Sequence, residues 1–229
     1  MKHLPESPAA GVAVLRLNPR YRDDLASHLL QLPDDDRRLR FGHSISDDAV
    51  RKYVAGIDFG RDSVFGIHGA ALELIGVAHL ALDPVHRVAE LGVSVDPSSR
   101  TKGYGYALLQ RAVLHAANLG YRVLFMYCLA ENGIMMHLAQ KAGLTVVIER
   151  GEADARLKLD RFAHGGAIRE ALADQFALVD DMLKQQFLWL RQSGIESASS
   201  SSRTVEAANE RRRTESASET LQGTVPQRA

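Results

Sequence analysis

The sequence is poor in the features that stabilise or anchor proteins outside the cytosol. Its 229 residues include one cysteine, Cys128, which cannot form a disulfide within the chain and lies in an apolar run. That setting predicts a buried thiol and a reducing compartment. No apolar run reaches the ~20 residues of a membrane-spanning helix, and the first residues lack the hydrophobic core of a signal peptide. We therefore expect a cytoplasmic protein without a membrane partner.

The chain also lacks an excess of either charge. Its 28 lysines and arginines balance 28 aspartates and glutamates, so the formal net charge is zero. Without a basic surplus, the composition does not predict a nucleic-acid partner. What the chain does have is 45% hydrophobic residues, which suffices for one buried core with appendages.

Periodicity over residues 12–161 predicts one domain of the α+β class. Alternating or continuous apolar runs indicate strands, whereas apolar residues at intervals of three and four indicate helices. Strands are predicted at 12–17, 63–68, 71–82, 88–95, 123–129, 145–149 and 155–159, and helices near 25–30, 33–41, 50–54, 104–118 and 133–142.

Two further segments follow this domain. Residues 166–192 predict a long amphipathic helix, because apolar side chains recur every three or four positions at Ile168, Leu172, Phe176, Val179, Leu183, Phe187 and Leu190. This apolar stripe packs either on its own domain or on the same helix of a second copy, which would make a homodimer. Residues 193–229 are rich in Ser, Glu and Arg and predict a disordered, low-complexity tail.

The most informative segment joins a strand to a helix. The strand stops at Asp96, an Arg/Gly loop follows, and a helix begins near Tyr104. Backbone N–H groups at a helix start bind anions, and Gly103 and Gly105 let a phosphate approach the backbone closely. Neither common nucleotide motif fits, since Lys102 precedes the glycines and no third glycine follows. The segment therefore predicts a phosphate site of another kind.

The pattern Arg100-x-x-Gly103-x-Gly105 resembles the coenzyme A pyrophosphate loop of the GNAT family of N-acetyltransferases. A second block, residues 131–144, resembles the helix entry that begins with Asn and ends in Gly-Phe in that family, with Leu144 in place of the Phe. The resemblance covers roughly residues 12–159. It implies a mixed, mostly antiparallel sheet flanked by helices, acetyl-CoA as co-substrate, no metal, and transfer of an acetyl group to an amine.

The same resemblance assigns cofactor-binding residues. The pyrophosphate would lie against Arg100, Thr101, Lys102, Gly103, Tyr104, Gly105 and Tyr106, with the Lys102 side chain itself expected in solvent. The pantetheine arm would run beside Val93, Ser94 and Val95, which requires this strand to splay from the strand at 123–129. Asn132 would either hold the arm or cap the helix that follows it.

The reaction also needs a base, because an alkylamine with a pKa of about 10.4 is almost wholly protonated at neutral pH. Glu90 lies in an otherwise apolar strand segment, where we expect a partly desolvated carboxylate on the same face as Gly92 and Ser94. Resemblance to the protein-lysine acetyltransferase branch implies that Glu90 is this base. The alternative is an ordinary exposed glutamate on a strand.

The general acid and the acceptor remain open. Many family members reprotonate the leaving thiolate with a tyrosine where this chain has Ala139, and Tyr104 and His137 are the nearby alternatives. The segment 38–41 resembles an Arg-Phe element of the protein-acetylating branch, yet a protein lysine and a small-molecule amine both remain candidate acceptors. The alternative function is a non-catalytic acyl-CoA-binding or regulatory module.

Overall fold

The computed structural model describes residues 12–159, 174–175, 177–182, 184–186 and 188. Within them the chain forms one seven-stranded sheet in the order β1-β2-β3-β4-β5-β7-β6. The strands are β1 (Leu15–Leu17), β2 (Ser63–His68), β3 (Leu74–Asp83), β4 (Val88–Val95), β5 (Val123–Leu129), β6 (Thr145–Glu149) and β7 (Glu152–Lys158). The helices are α1 (Arg22–Gln31), α2 (Asp34–Phe41), α3 (Asp47–Ala55), α4 (Tyr104–Asn118) and α5 (Gly133–Lys141).

Helices cover both faces of the sheet, and each face has its own core. On one face, Leu108 and Leu109 of α4 are fully buried in the same cluster as Leu91 and Val93 of β4. On the other, α1 and α3 bury leucines and valines against β1 to β3, namely Leu25, Leu29, Val50 and Val54. The predicted α+β class and layered arrangement are confirmed.

Most predicted elements are present, and the differences lie at their ends. The first strand starts at Leu15 rather than at residue 12, and β7 begins at Glu152, three residues before its predicted start. The hairpin between β6 and β7 turns on Arg150 and Gly151, which both have positive φ, as the favoured two-residue turn requires. Helix α3 is capped by Ser46, whose Oγ accepts from Ala49 N at 3.3 Å.

The sheet opens between its two central strands. Strands β4 and β5 are parallel, and their ladder covers only Val88–Glu90 opposite Val123–Phe125. Beyond Glu90, β4 continues to Val95 while pairing only with β3 on its other side. The splay that the family resemblance implied is therefore present, as an unpaired wedge between the two strands that begins beyond Glu90 and extends along β4 to Val95.

The C-terminal helical segment, residues 174–175 and 177–182, contacts the rest of the domain through the apolar Ala177 and through polar groups. Ala177 and Asp181 are buried, Asp181 Oδ1 lies 2.8 Å from His68 Nδ1, and Asp174 forms an ion pair with Arg111. Of the predicted apolar stripe, the structure describes the side chain of Val179, which is 56% exposed. The contact that this segment makes with its own domain is therefore not made by Val179.

The remaining stripe residues and the predicted tail at 193–229 lie outside the described residues. Among the helices that the structure describes, none has the length and apolar character needed to span a membrane.

Candidate functional site

The loop between β4 and α4 has the backbone geometry of an anion site. Thr101 and Gly103 adopt left-handed backbone with φ of 64° and 81°, and Gly103 occupies the N-cap of α4. No side chain of the described residues caps this helix start. The first hydrogen bond of the helix runs from Ala107 N to Gly103 O at 3.0 Å. The N–H groups of residues 104–106 come before it and therefore have no carbonyl partner within the helix. At the predicted phosphate site, the structure thus has a helix N-terminus, the kind of backbone arrangement that binds anions.

Arg100 is fixed beside this loop by two contacts. Its Nε donates to Val95 O at 3.3 Å, and its Nη2 lies 2.7 Å from Asp36 Oδ2 on α2. This places the guanidinium next to the end of β4 and ties α2 to the loop. Lys102 is exposed, as expected from the sequence.

The open edge of β4 offers its backbone rather than its side chains. Val93 is part of the core. Ser94 is buried, with its Oγ 2.9 Å from His28 Nε2, while His28 Nδ1 lies 2.8 Å from Leu74 O. Because a carbonyl only accepts, Nδ1 donates and Nε2 accepts from the Ser94 hydroxyl. Burial lowers the pKa of His28, which keeps this arrangement neutral.

Asn132 takes the capping alternative in this structure. Its Oδ1 accepts from Met135 N at 3.1 Å at the start of α5. A role in holding the pantetheine arm would have to use the amide nitrogen, and it stays a prediction. The preceding residue, Glu131, forms an ion pair with Arg38 of α2, so α2 is tied to both sides of the wedge.

A cleft of about 420 Å³ lies where the wedge begins. Glu90 and Glu152 line it together with Arg40 and the rings of Tyr53 and Tyr127. Glu90 stands on the last rung of the β4–β5 ladder, opposite Phe125. Its side chain is exposed, so the expected desolvation of this carboxylate is wrong for this structure: the sheet buries the neighbouring side chains on the other face, whereas Glu90 opens into the cleft.

Arg40 lies against the floor of the cleft at Gly92. A Cβ built on Gly92 would overlap the Arg40 guanidinium, so glycine is what lets this cation lie on the strand. Arg40 Nη2 donates to Tyr53 Oη at 3.1 Å, and the guanidinium stacks over the Phe41 ring at 5.1 Å. No carboxylate of the described residues forms an ion pair with Arg40.

Behind Arg40 the structure brings together three residues that the sequence analysis missed. Tyr53 Oη is 2.6 Å from His79 Nδ1, and His79 Nε2 is 3.5 Å from Asp62 Oδ2. His79 and Asp62 are only 9% and 3% exposed. Burial and the nearby Arg40 lower the pKa of His79 to about 4. No motif links positions 53, 62 and 79, so only the fold could reveal this cluster.

The structure also shows why α5 supplies no general acid at the usual place. Ala139 is fully buried in the core cluster, with only a methyl group to offer. His137 is exposed and Tyr104 is half-buried at the start of α4.

Comparison with known proteins gives a family. A sequence model described as the acetyltransferase (GNAT) family matches residues 15–144, more than half of the chain. No curated protein sequence matches significantly. Many solved structures do, at identities that show the fold alone.

Three of these structures illustrate the match. The GNAT domain of S. lividans PAT has 21% identity and a TM-score of 0.55, over 64% of this chain and 89% of that one. YncA of Salmonella typhimurium, solved with acetyl-CoA, has 17% identity and a TM-score of 0.51, over 67% and 97%. RimL, a ribosomal L7/L12 alpha-N-protein acetyltransferase in complex with coenzyme A, has 18% identity and a TM-score of 0.52, over 69% and 99%.

The family match spans the splayed strands, the glycine loop and the helix that follows it. The fold of the solved structures agrees with it along nearly their whole length. The chain therefore belongs to the GNAT family and is an N-acetyltransferase.

Proposed function

We propose that the protein transfers the acetyl group of acetyl-CoA to the amine of a protein lysine or a small molecule, by direct attack in a ternary complex. The observation that carries this proposal is the wedge between β4 and β5, which has an anion-binding helix start near one end and Glu90 at the other.

In this proposal the coenzyme completes the open edge of the sheet. The pantetheine arm pairs with the backbone of Val93–Val95, which has no strand beside it on the β5 side within the described chain. The pyrophosphate lies at the backbone N–H groups of 103–106, next to Arg100, with Thr101 and Lys102 at its exposed side. A backbone N–H near Val93 donates to the thioester oxygen, where negative charge grows as the amine attacks.

Glu90 acts as the base. It removes a proton from the acceptor ammonium, directly or through one water, and the neutral amine then attacks the thioester carbon. The C–N bond forms, the C–S bond breaks, and coenzyme A leaves without a covalent enzyme intermediate or a metal. Glu90 and Glu152 give the cleft an acidic wall that attracts a cationic acceptor.

One observation favours a second candidate function. Because the Glu90 side chain is exposed, it also fits a non-catalytic acyl-CoA-binding or regulatory module, in which coenzyme binds without turnover. The two functions differ in thiol release, which only an acetyltransferase produces in the presence of an amine.

The test measures thiol release from acetyl-CoA with a panel of alkylamines and lysine peptides. For Glu90→Gln we expect turnover about 100-fold lower, because a general base typically contributes 10²–10⁴-fold, with unchanged coenzyme A affinity. Glu149→Gln is the control, since Glu149 is an exposed carboxylate on β6. Equal turnover in both variants would remove Glu90 from the mechanism, and coenzyme binding without thiol release from the unmodified protein would favour the binding module.

The proposal includes a second copy of the chain as a partner, through the C-terminal helical segment. Three neighbouring apolar side chains of this segment, Leu178, Val179 and Met182, are all more than half exposed. The buried Ala177 and Asp181 face the domain, so the apolar side chains are directed elsewhere and are suited to pack on the same segment of a second copy.

A further inference from the structure

The mechanism above leaves one proton without a carrier. After Glu90 has removed the first proton and the amine has attacked, the nitrogen still holds a proton that it must lose, while the leaving sulfur must gain one. Ala139 is buried and cannot supply it. Tyr53 and His79 line the same cleft as Glu90, and Asp62 is buried behind His79.

The sheet register places this cluster beside the proposed thioester position. His79 of β3 is the cross-strand partner of Gly92, and Ala81 is the partner of Glu90. Directly opposite residues project to the same face, so the His79 ring stands over the part of β4 that follows Glu90. The hydroxyl of Tyr53, a residue of α3, forms a hydrogen bond with His79 Nδ1. The same hydroxyl accepts a hydrogen bond from Arg40, whose guanidinium lies against Gly92.

The hydrogen-bond directions follow from the partners. Burial alone would raise the pKa of Asp62, but bonds from Arg61 and from Leu82 N outweigh it and hold the pKa below its ordinary value. An ionised Asp62 favours the tautomer in which His79 Nε2 carries the hydrogen. His79 Nδ1 then accepts from the Tyr53 hydroxyl, while Tyr53 Oη accepts from Arg40.

We propose that Tyr53 and His79 shuttle the second amine proton to the sulfur of coenzyme A. This inference rests on the proposed function. In the first step the N–H bond of the tetrahedral intermediate breaks as a bond forms to Tyr53 Oη, and the Tyr53 proton moves to His79 Nδ1. In the second step the proton returns from Nδ1 to Tyr53, and Tyr53 gives its own proton to the sulfur as the C–S bond breaks. No proton is gained or lost overall.

The surroundings suit a transient proton store. The pKa of about 4 means that His79 is neutral at pH 7, able to accept a proton and quick to release it. The carboxylate of Asp62 stabilises the imidazolium while it lasts, and Arg40 stabilises negative charge on Tyr53 Oη. Other charged groups of this region include Arg61, which pairs with Asp62, and the two cleft carboxylates Glu90 and Glu152.

The experiment compares Tyr53→Phe and His79→Gln with the unmodified protein. We expect each to lower kcat about 10- to 100-fold with unchanged KM for acetyl-CoA and acceptor, and the double variant to be no slower than the worse single one. Tyr21→Phe is the matched control, because Tyr21 packs on His68, which pairs with Asp181, in a second Tyr–His–Asp group outside the cleft. We expect its kcat to be unchanged.

A second acceptor separates this role from that of Glu90. Methoxyamine is weakly basic and largely neutral at pH 7, so it does not need the first deprotonation. Its acetylation should be spared by Glu90→Gln but slowed by Tyr53→Phe. A kcat within twofold of the unmodified protein for both Tyr53→Phe and His79→Gln, or a loss confined to KM, would overturn the shuttle. Absence of thiol release from the unmodified protein with every amine would instead overturn the proposed function.

Discussion

The guanidinium of Arg100 lies 2.7 Å from the carboxylate of Asp36, so the residue expected to bind pyrophosphate is already engaged by an acid of α2. In the proposed binding mode, coenzyme A competes with this carboxylate for Arg100. The contact therefore links coenzyme binding to the position of α2, the helix that also carries Arg40.

Replacing Asp36 should tighten coenzyme binding. For Asp36→Asn we expect the Kd of coenzyme A to fall about two- to fivefold, because a partly exposed ion pair is worth about 0.2–1 kcal/mol. Isothermal titration calorimetry at two salt concentrations measures it. Asp35→Asn is the control, since it removes the same charge from the same helix without touching Arg100. Equal tightening in both variants would contradict a direct competition.

A side chain at Gly92 should impair activity while sparing the fold. In Gly92→Ala the new methyl group must displace the Arg40 guanidinium, which is the far end of a flexible side chain. We expect a melting temperature within a few degrees of the unmodified protein and a several-fold loss of turnover, because Tyr53 loses the donor from Arg40.

Gly66→Ala gives the contrasting result. Its methyl group would lie 2.8 Å from Leu74 and 3.0 Å from Leu17, both in the core. Overpacking of this kind costs about 1–3 kcal/mol, so the free energy of unfolding should fall clearly. Similar melting temperatures for Gly66→Ala and Gly92→Ala would contradict this prediction. They would show that the core leucines beside Gly66 yield to a methyl group as easily as the Arg40 side chain beside Gly92 does.

The stability of the fold should decrease in mild acid because of His79. Its pKa is about 4 in the folded chain and about 6.5 when unfolded, so below pH 6.5 the unfolded chain binds a proton that the folded chain does not. The stabilisation is complete above pH 6.5 and is lost as the pH falls towards 4, by about 3 kcal/mol in total. His28, whose pKa is also lowered by burial, acts in the same direction.

Urea unfolding between pH 4 and 7 checks this. His79→Gln should flatten the pH dependence of the unfolding free energy, whatever its effect at pH 7. The control is His137→Gln, which replaces a histidine that is exposed on α5. An unchanged slope in His79→Gln would show that other groups control the acid sensitivity.

The proposed dimer can be tested at Val179. This side chain is 56% exposed next to Leu178 and Met182. For Val179→Lys we expect the solution mass, measured by light scattering, to fall from that of a dimer to that of a monomer. Leu119→Lys is the control, as Leu119 is an exposed leucine at the end of α4. A monomeric unmodified chain would rule out the second copy as a partner.

Local patterns sufficed to predict most of the fold and the strand–loop–helix segment that is proposed to bind the coenzyme. Strand β4 lies at its predicted bounds, and the loop around Gly103 opens a helix as its glycines indicated, because turn chemistry and apolar periodicity act over a few residues. The sequence left open whether Glu90 is partly desolvated or exposed, and local patterns could not decide between the two. The exposure depends on which face of β4 is covered, and that is decided by helices distant in the sequence.

The part of the cleft formed by Arg40, Tyr53 and His79 was the least predictable. Arg40, Tyr53 and His79 come from α2, α3 and β3, and each alone looks like an ordinary surface or core residue. Their contacts depend on how α2 and α3 pack on the sheet, and the spacing of residues along the sequence does not predict that packing. For Asn132 the sequence predicted two alternatives, holding the pantetheine arm or capping a helix. The hydrogen bond from Met135 N to its Oδ1 shows the capping contact, which the sequence alone could not establish.

In the proposed binding mode, the coenzyme has a structural role as well as a chemical one, because the ladder between β4 and β5 has three rungs. A pantetheine arm that lies along Val93–Val95 adds contacts between β4 and β5. Without it, these two parts of the sheet are joined by the short ladder alone. Ligand saturation then adds to the cohesion of the fold, by about 2.7 kcal/mol at a hundred times Kd. The concentration of the acyl donor would therefore affect the fraction of chains that is folded as well as the rate of turnover.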